Sequence, residues 1–155
     1  MAAKLTGTLT LDNGSVTNDH FSAVAAQALD ADKVQPYFVK GTPLGFAIGA
    51  TPTTREEIVH VVTTAGTIRG FHSLLNDTGT STSIAFDLKK NGTTCLAASV
   101  TITQANADRS VQDGTLSVTS LAVDDVLSIA MTVSSSTGAQ GPYGWVVLEE
   151  TNAGT

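Results

Sequence analysis

The chain has 155 residues, a formal net charge of −6, 41% apolar residues and only 14% charged ones, against about 25% charged in an average domain. No basic cluster exceeds Lys89-Lys90, which argues against a groove that tracks nucleic-acid phosphates. The apolar runs are a few residues long, far from the ~20 that span a bilayer, so protein neighbours are the partners this composition suits.

One cysteine, Cys95, excludes an internal disulfide framework, and its place in an apolar run reads as a small buried hydrophobe. The opening MAAKLTGTLTLDNG lacks the apolar centre of a secretory signal, so synthesis in a cytoplasm is expected. The sequons at Asn13, Asn76 and Asn91 therefore read as turns.

In chain order, residues 4–11 (KLTGTLTL) form a short strand or strap ended by Asp12-Asn13-Gly14. Two similar short amphipathic units follow, Val16 to Phe21 and Leu29 to Val34, with Asn18 and Asp30 as candidate helix caps. The Ala-rich residues between them, 22–28, can hold a helical turn or two. Units this short cannot bury their apolar faces alone, so another copy of the chain is the simplest partner. Residues 35–54 (QPYFVKGTPLGFAIGATPTT) hold three of the four prolines yet are too apolar for a solvated linker. They read as an extended arm lying on the module's own sheet or on a partner.

From Arg55 onward strand signals recur. Residues 58–63 are β-branched, and Ala65-Gly66 is placed to turn them into residues 67–75. Residues 83–102 (SIAFDLKKNGTTCLAASVTI) read as a hairpin around Asn91-Gly92, the pair suited to a type I′ turn, with Lys90 facing Thr93 and Leu88 facing Cys95. Residues 104–114 read as the longest loop and 115–121 as a strand. Residues 126–133 alternate Leu127, Ile129, Met131 and Val133 with Ser128, Ala130 and Thr132. Residues 134–143 read as a Gly/Ser loop, and 145–149 close the module with Trp145 inward or at a subunit seam.

Seven or eight strands with turns every 8–15 residues predict an all-β, two-sheet sandwich. Jelly-roll connections are the first choice, although an immunoglobulin-like order fits the same spacing. The organisation read from this is an arm over 1–54 carrying assembly contacts and short helical turns, a sandwich over 55–150 and a tail over 151–155.

Catalytic constellations are not found, and no enzyme is expected. There is no Gly-x-Ser-x-Gly elbow, no His-Glu-x-x-His and no phosphate-cradling glycine loop. His60 and His72 fall on strands read as adjacent, but a zinc site needs further ligands and Cys95 is the one thiol. Glu56-Glu57 and Glu149-Glu150 sit at strand ends and read as a solvated rim, because neighbours on a strand face opposite ways. Asp124-Asp125 reads as a turn, too short for a calcium loop. No cofactor or metal is implied.

Four motifs in order, IVHVVTTAGTIRGF (58–71), FDLKKNGTTCL (86–96), LAVDDVL (121–127) and GPYGWVVLEE (141–150), together resemble head-decoration or cement proteins of tailed bacteriophages, which have a jelly-roll-like β-sandwich. The upstream GSVTNDHFSAV and ALDADKVQ resemble the short units that precede β-modules in phage fibre and capsid-attached proteins, where three chains commonly wind together. This resemblance implies a homotrimeric structural protein on the outer surface of the virion, bound to the major capsid protein through its arm. The apolar arm residues Leu9, Leu11, Val16, Phe21, Leu29, Val34, Tyr37 and Phe38 are the candidate capsid or trimer contacts. The alternative is a tail-fibre or receptor- or glycan-binding module, with loops 104–114 and 134–143 as the binding surface and Tyr143 and Trp145 to stack on a sugar.

Overall fold

Residues 81–90 alternate Thr82, Ile84, Phe86 and Leu88 with Ser83, Ala85, Asp87 and Lys89, and the first set is buried. The same period-2 logic, repeated along the chain, builds the whole module. The computed structural model describes the backbone of residues 37–43 and all of residues 48–150. Its strands are β1 (Tyr37–Pro43), β2 (Arg55–Val61), β3 (Gly66–Asp77), β4 (Ser81–Lys90), β5 (Thr93–Thr94), β6 (Val100–Thr103), β7 (Gln112–Gly114), β8 (Ser120–Leu121), β9 (Val126–Thr137) and β10 (Gln140–Glu150). The described residues contain no helix.

One sheet has the order β1-β10-β3-β7, with β8 also on β3, and the other has β2-β9-β4-β5, with β6 also on β4; every pairing is antiparallel. β5 with β6, and β7 with β8, each occupy one strand position that is interrupted. Counted so, the two sheets have four positions each in jelly-roll order. Of the two orders the spacing allowed, this one is formed. Between strand positions, only the β4–β5 turn joins neighbours of one sheet; the other links cross from sheet to sheet.

That exception has a local cause. Asn91 and Gly92 both take positive φ, 50° and 81°, as a type I′ turn requires. Lys90 pairs with Thr93, and the Cys95 amide donates to the Leu88 carbonyl at 2.7 Å. The expected second strand over 94–102 is broken, however. At Cys95–Ala97 the chain turns to the other sheet, where the Ala97 amide bonds Thr115 and the Ser117 amide bonds Cys95. It rejoins β4 only at Val100. For the same reason the strand expected over 115–121 reduces to a bridge at Leu116 and the two residues of β8.

Two further expectations are corrected. Ala65-Gly66 does not fold a hairpin: it carries the chain from β2 across to β3 in the opposite sheet. Residues 134–143 are mostly strand, with β9 running to Thr137 and β10 starting at Gln140. The core between the sheets contains Ile68, Phe71, Leu75, Ile84, Phe86, Leu88, Ile102, Leu127, Ile129, Met131, Val146 and Leu148. Each large side chain here contributes roughly 1.5–3 kcal/mol by leaving water.

β1 lies along β10 from Tyr37 opposite Glu149 to Pro43 opposite Tyr143. This part of the proline-rich segment therefore rests on the module's own sheet. Leu9, Leu11, Val16, Phe21, Leu29 and Val34, the helical turns read at 22–28 and the tail 151–155 lie outside the described residues.

Candidate functional site

A bulge decides what the outer face of the β1-β10-β3-β7 sheet displays. On β3, Ile68 and Phe71 are both buried, so two residues, Arg69 and Gly70, stand between successive inward positions. The register against β10 slips there: Gly70 is opposite Val147 and Ile68 opposite Leu148. Bulges re-aim the side chains that follow them. Here Phe71, Ser73 and Leu75 face the core, and His72 is turned outward.

On β10, Val146 and Leu148 are fully buried, which puts Tyr143, Trp145, Val147 and Glu149 on the outer face. Trp145 is thus half-buried outside the core, not within it. One register line crosses the sheet as Gly41, Trp145, His72 and Asp113, each opposite the next. The rings of His72 and Trp145 have centroids 5.1 Å apart at 31°, and those of Tyr143 and Trp145 are 5.6 Å apart at 36°. Both fall in the range of favourable aromatic pairs.

His72 is fixed at both ends of its ring. Its Nδ1 lies 2.6 Å from Asp113 Oδ1; a carboxylate only accepts, so Nδ1 carries the proton of this bond. Nε2 lies over Gly70, where a Cβ would come within 2.8 Å of it. Asp113 keeps its carboxylate largely in water, with 76% of the side chain exposed. At the β10 end of the same face, Arg69 pairs with Glu149.

A second polar cluster lies at the sandwich rim. Glu150 was read as a solvated rim residue, but only 8% of it is exposed. It follows Leu148 in the inward register and accepts hydrogen bonds from His60, Thr63 Oγ1 at 3.1 Å and Thr64 Oγ1 at 3.3 Å. Burial raises its pKa, and the donors with the nearby His60 charge more than offset this, holding the carboxyl below its ordinary value. The remaining rim carboxylates are also engaged: Glu56 with Lys89 and Ser128, Glu57 with Arg55. The strands of His60 and His72 belong to different sheets, so the adjacency read from sequence is not formed. Among the described residues no three His, Cys, Asp or Glu side chains gather as metal ligands. Cys95 is fully buried and burial pushes its thiol up, the environment of an inert core cysteine.

Of the candidate contact residues, Tyr37 and Phe38 lie on β1, opposite Glu149 and Leu148; the other six fall outside the described residues. The aromatic row was legible in part. The alternation of GPYGWVVLEE places Tyr143 and Trp145 on one face once Val146 and Leu148 are taken as inward. The bulge that adds His72 leaves no period-2 signal.

Neither a scan against protein-family models nor a search of curated proteins finds a match. Among solved structures, the crystal structure of dimeric latent PorU from Porphyromonas gingivalis aligns with a TM-score of 0.24 and 16% identity, covering 74% of this chain and 10% of that one. The chain spans about a tenth of that protein, and a likeness this slight carries no argument about fold or function.

Proposed function

We propose that this chain is a structural virion protein, a decoration or cement protein that binds the assembled head of a tailed bacteriophage and stabilises it. The observation that carries the reading is the placement of the four motifs behind the resemblance. They fall on β2–β3, on the β4–β5 hairpin, on the β8–β9 turn and on β10, in a jelly roll, the fold the resemblance implies. Because a fold hosts many functions, the surface gives separate support. Ile58 and Val61 stand 69% and 48% exposed on β2, a strand that among the described residues pairs only with β9. Exposed apolar side chains on such a strand suit burial against a neighbouring subunit.

Under this reading the protein acts by mass action. A subunit that binds the assembled shell and not its free parts shifts the equilibrium towards the shell. A homotrimer would hold three arms at high effective concentration, so that weak contacts add up to tight attachment.

The first test is the copy number per major capsid subunit in purified particles of the parent virus. Hundreds of copies, near one per capsid subunit, support the reading; a handful would move the protein to a tail or fibre. The arm is tested by truncation. Because β1 begins at Tyr37, the cut belongs after Val34, which leaves β1 whole. Removing residues 1–34 is expected to abolish capsid binding while leaving a folded sandwich by circular dichroism. Undiminished binding by the truncated chain would refute the arm's role.

A further inference from the structure

We propose that Asn91-Gly92 is a site of spontaneous covalent modification, deamidation to aspartate and isoaspartate, and that the turn at 122–125 gates it. This stands apart from the decoration reading and does not rest on it.

The sequence supplies the reactive pair. The backbone nitrogen that follows an asparagine can attack its side-chain Cγ, and a following glycine, with no side chain, leaves that nitrogen most accessible. Here the Gly92 nitrogen forms a bond to Asn91 Cγ while the bond from Cγ to Nδ2 breaks. Nδ2 departs as ammonia, taking the Gly92 amide proton. Water then opens the resulting succinimide at either carbonyl, giving aspartate or, with an extra methylene in the main chain, isoaspartate. No bond is oxidised or reduced. Both residues are exposed, and a Cβ built on Gly92 would meet nothing within 4 Å, so the ring and the water both have room.

The folded geometry opposes the attack. Ring closure needs Cβ and the Gly92 nitrogen nearly eclipsed about the Asn91 Cα–C bond, at a ψ of roughly −120°, the value of a type II′ turn at this position. A type II′ turn would put Gly92 at negative φ. Instead Gly92 is at 81° and Asn91 at 50°, the type I′ form, in which the first central ψ is roughly +30°. The Asn91–Gly92 peptide must flip before it can react.

Three hydrogen bonds resist that flip. The Asn91 amide donates to the Val126 carbonyl at 2.9 Å, and Asn91 Oδ1 accepts from the Val126 amide at 2.8 Å. Asn91 Nδ2 donates to Asp125 Oδ1 at 2.6 Å. The carboxamide is thus held at both ends and is not free to turn its Cγ onto Gly92. Asp125 is itself buried, and the Ala122 amide and Asn91 hold its carboxyl below the ordinary pKa, so it remains an anionic acceptor at neutral pH. Conversion would end this arrangement. Neither product has an Nδ2–H to give Asp125, and each carries an added carboxylate that Asp125 repels. The pair is therefore a one-way switch, stable while the turns are closed on each other and unable to close again once converted.

The experiment follows Asn91 by peptide mass spectrometry in the full-length protein, held in mildly alkaline buffer. The end-blocked peptide LKKNGTT, residues 88–94, is the ungated reference. Asn91 in the protein is expected to deamidate at least about tenfold more slowly than in the peptide, because three hydrogen bonds must open first. D125A removes the acceptor of Nδ2 and should accelerate the reaction several-fold while still melting as a single cooperative transition. D125N keeps an acceptor oxygen and should stay nearer to wild type. V146A, destabilised in the opposite sheet, separates local from global opening and should keep the wild-type rate. Equal rates in protein and peptide would overturn the proposal. So would a folded D125A no faster than wild type, or a V146A accelerated as much as D125A, which would trace the reaction to global unfolding.

Discussion

Ser73 points into the core from β3 between Phe71 and Leu75, and among the described residues its Oγ has no hydrogen-bond partner. A buried hydroxyl without a partner loses its hydration for nothing in return. Replacing it with alanine removes one atom and that cost together. S73A is expected to stabilise the sandwich by about 1 kcal/mol, read as a higher urea midpoint with unchanged slope; a loss of stability would mean that the hydroxyl has a partner. Single residues were also where the sequence was least legible. Nothing in the string VLEE distinguishes Glu149, paired with Arg69 on the outer face, from Glu150, which continues the inward register of Val146 and Leu148. Only the register, fixed by which neighbours are fully buried, separates the two carboxylates.

At the scale of elements, two sequence motifs far apart in the chain turn out to lock each other. The Asn91-Gly92 turn sits against the turn at 122–125. The Asn91 amide donates to the Val126 carbonyl at 2.9 Å, the Val126 amide to Asn91 Oδ1 at 2.8 Å, and Asn91 Nδ2 to Asp125 Oδ1 at 2.6 Å. Asp125 Oδ2 accepts from the Ala122 amide at 2.8 Å. This amide and Asn91 are the largest causes that hold the Asp125 carboxyl below its ordinary pKa. A depressed folded pKa stabilises above the unfolded value and is lost as pH falls through the folded one. D125A is therefore expected to lower the urea midpoint at neutral pH and to differ little from wild type in strong acid. An equal deficit at both pH values would show that lost packing dominates. The strands themselves were readable wherever one face is buried without interruption, as in 126–133 and around Asn91-Gly92. They were misread where a strand changes partners midway, as at Cys95–Ala97. There the residues stay apolar while the hydrogen bonds pass to the other sheet, and periodicity cannot report that exchange.

For the whole molecule, the jelly roll sends nearly every link from one sheet to the other, so the two layers are tied by chain crossings as well as by the core. The cluster at Glu150 adds a polar clasp. β10 ends in one sheet, His60 belongs to β2 in the other, and Thr63 and Thr64 lie on the link from β2 to β3. A carboxylate taken out of water is tolerable here because three donors replace its hydration. Its folded pKa lies below the unfolded one despite the burial, since the donors and the His60 charge outweigh desolvation. The clasp therefore stabilises fully above the unfolded Glu value, roughly pH 4.3, and is lost as pH falls through the folded value. In E150Q the donors remain but the acceptor is neutral, so the charge-assisted share of each bond is gone at every pH. The variant is expected to show a lower urea midpoint than wild type at pH 7, and the two curves should converge in strong acid, once pH has fallen through the folded Glu150 value. H60Q gives the complementary reading, because it removes the imidazole partner while Glu150 still titrates. A midpoint gap in E150Q that persists unchanged into acid would place the contribution of Glu150 in its packing against the core, with no role for its charge in joining the sheets.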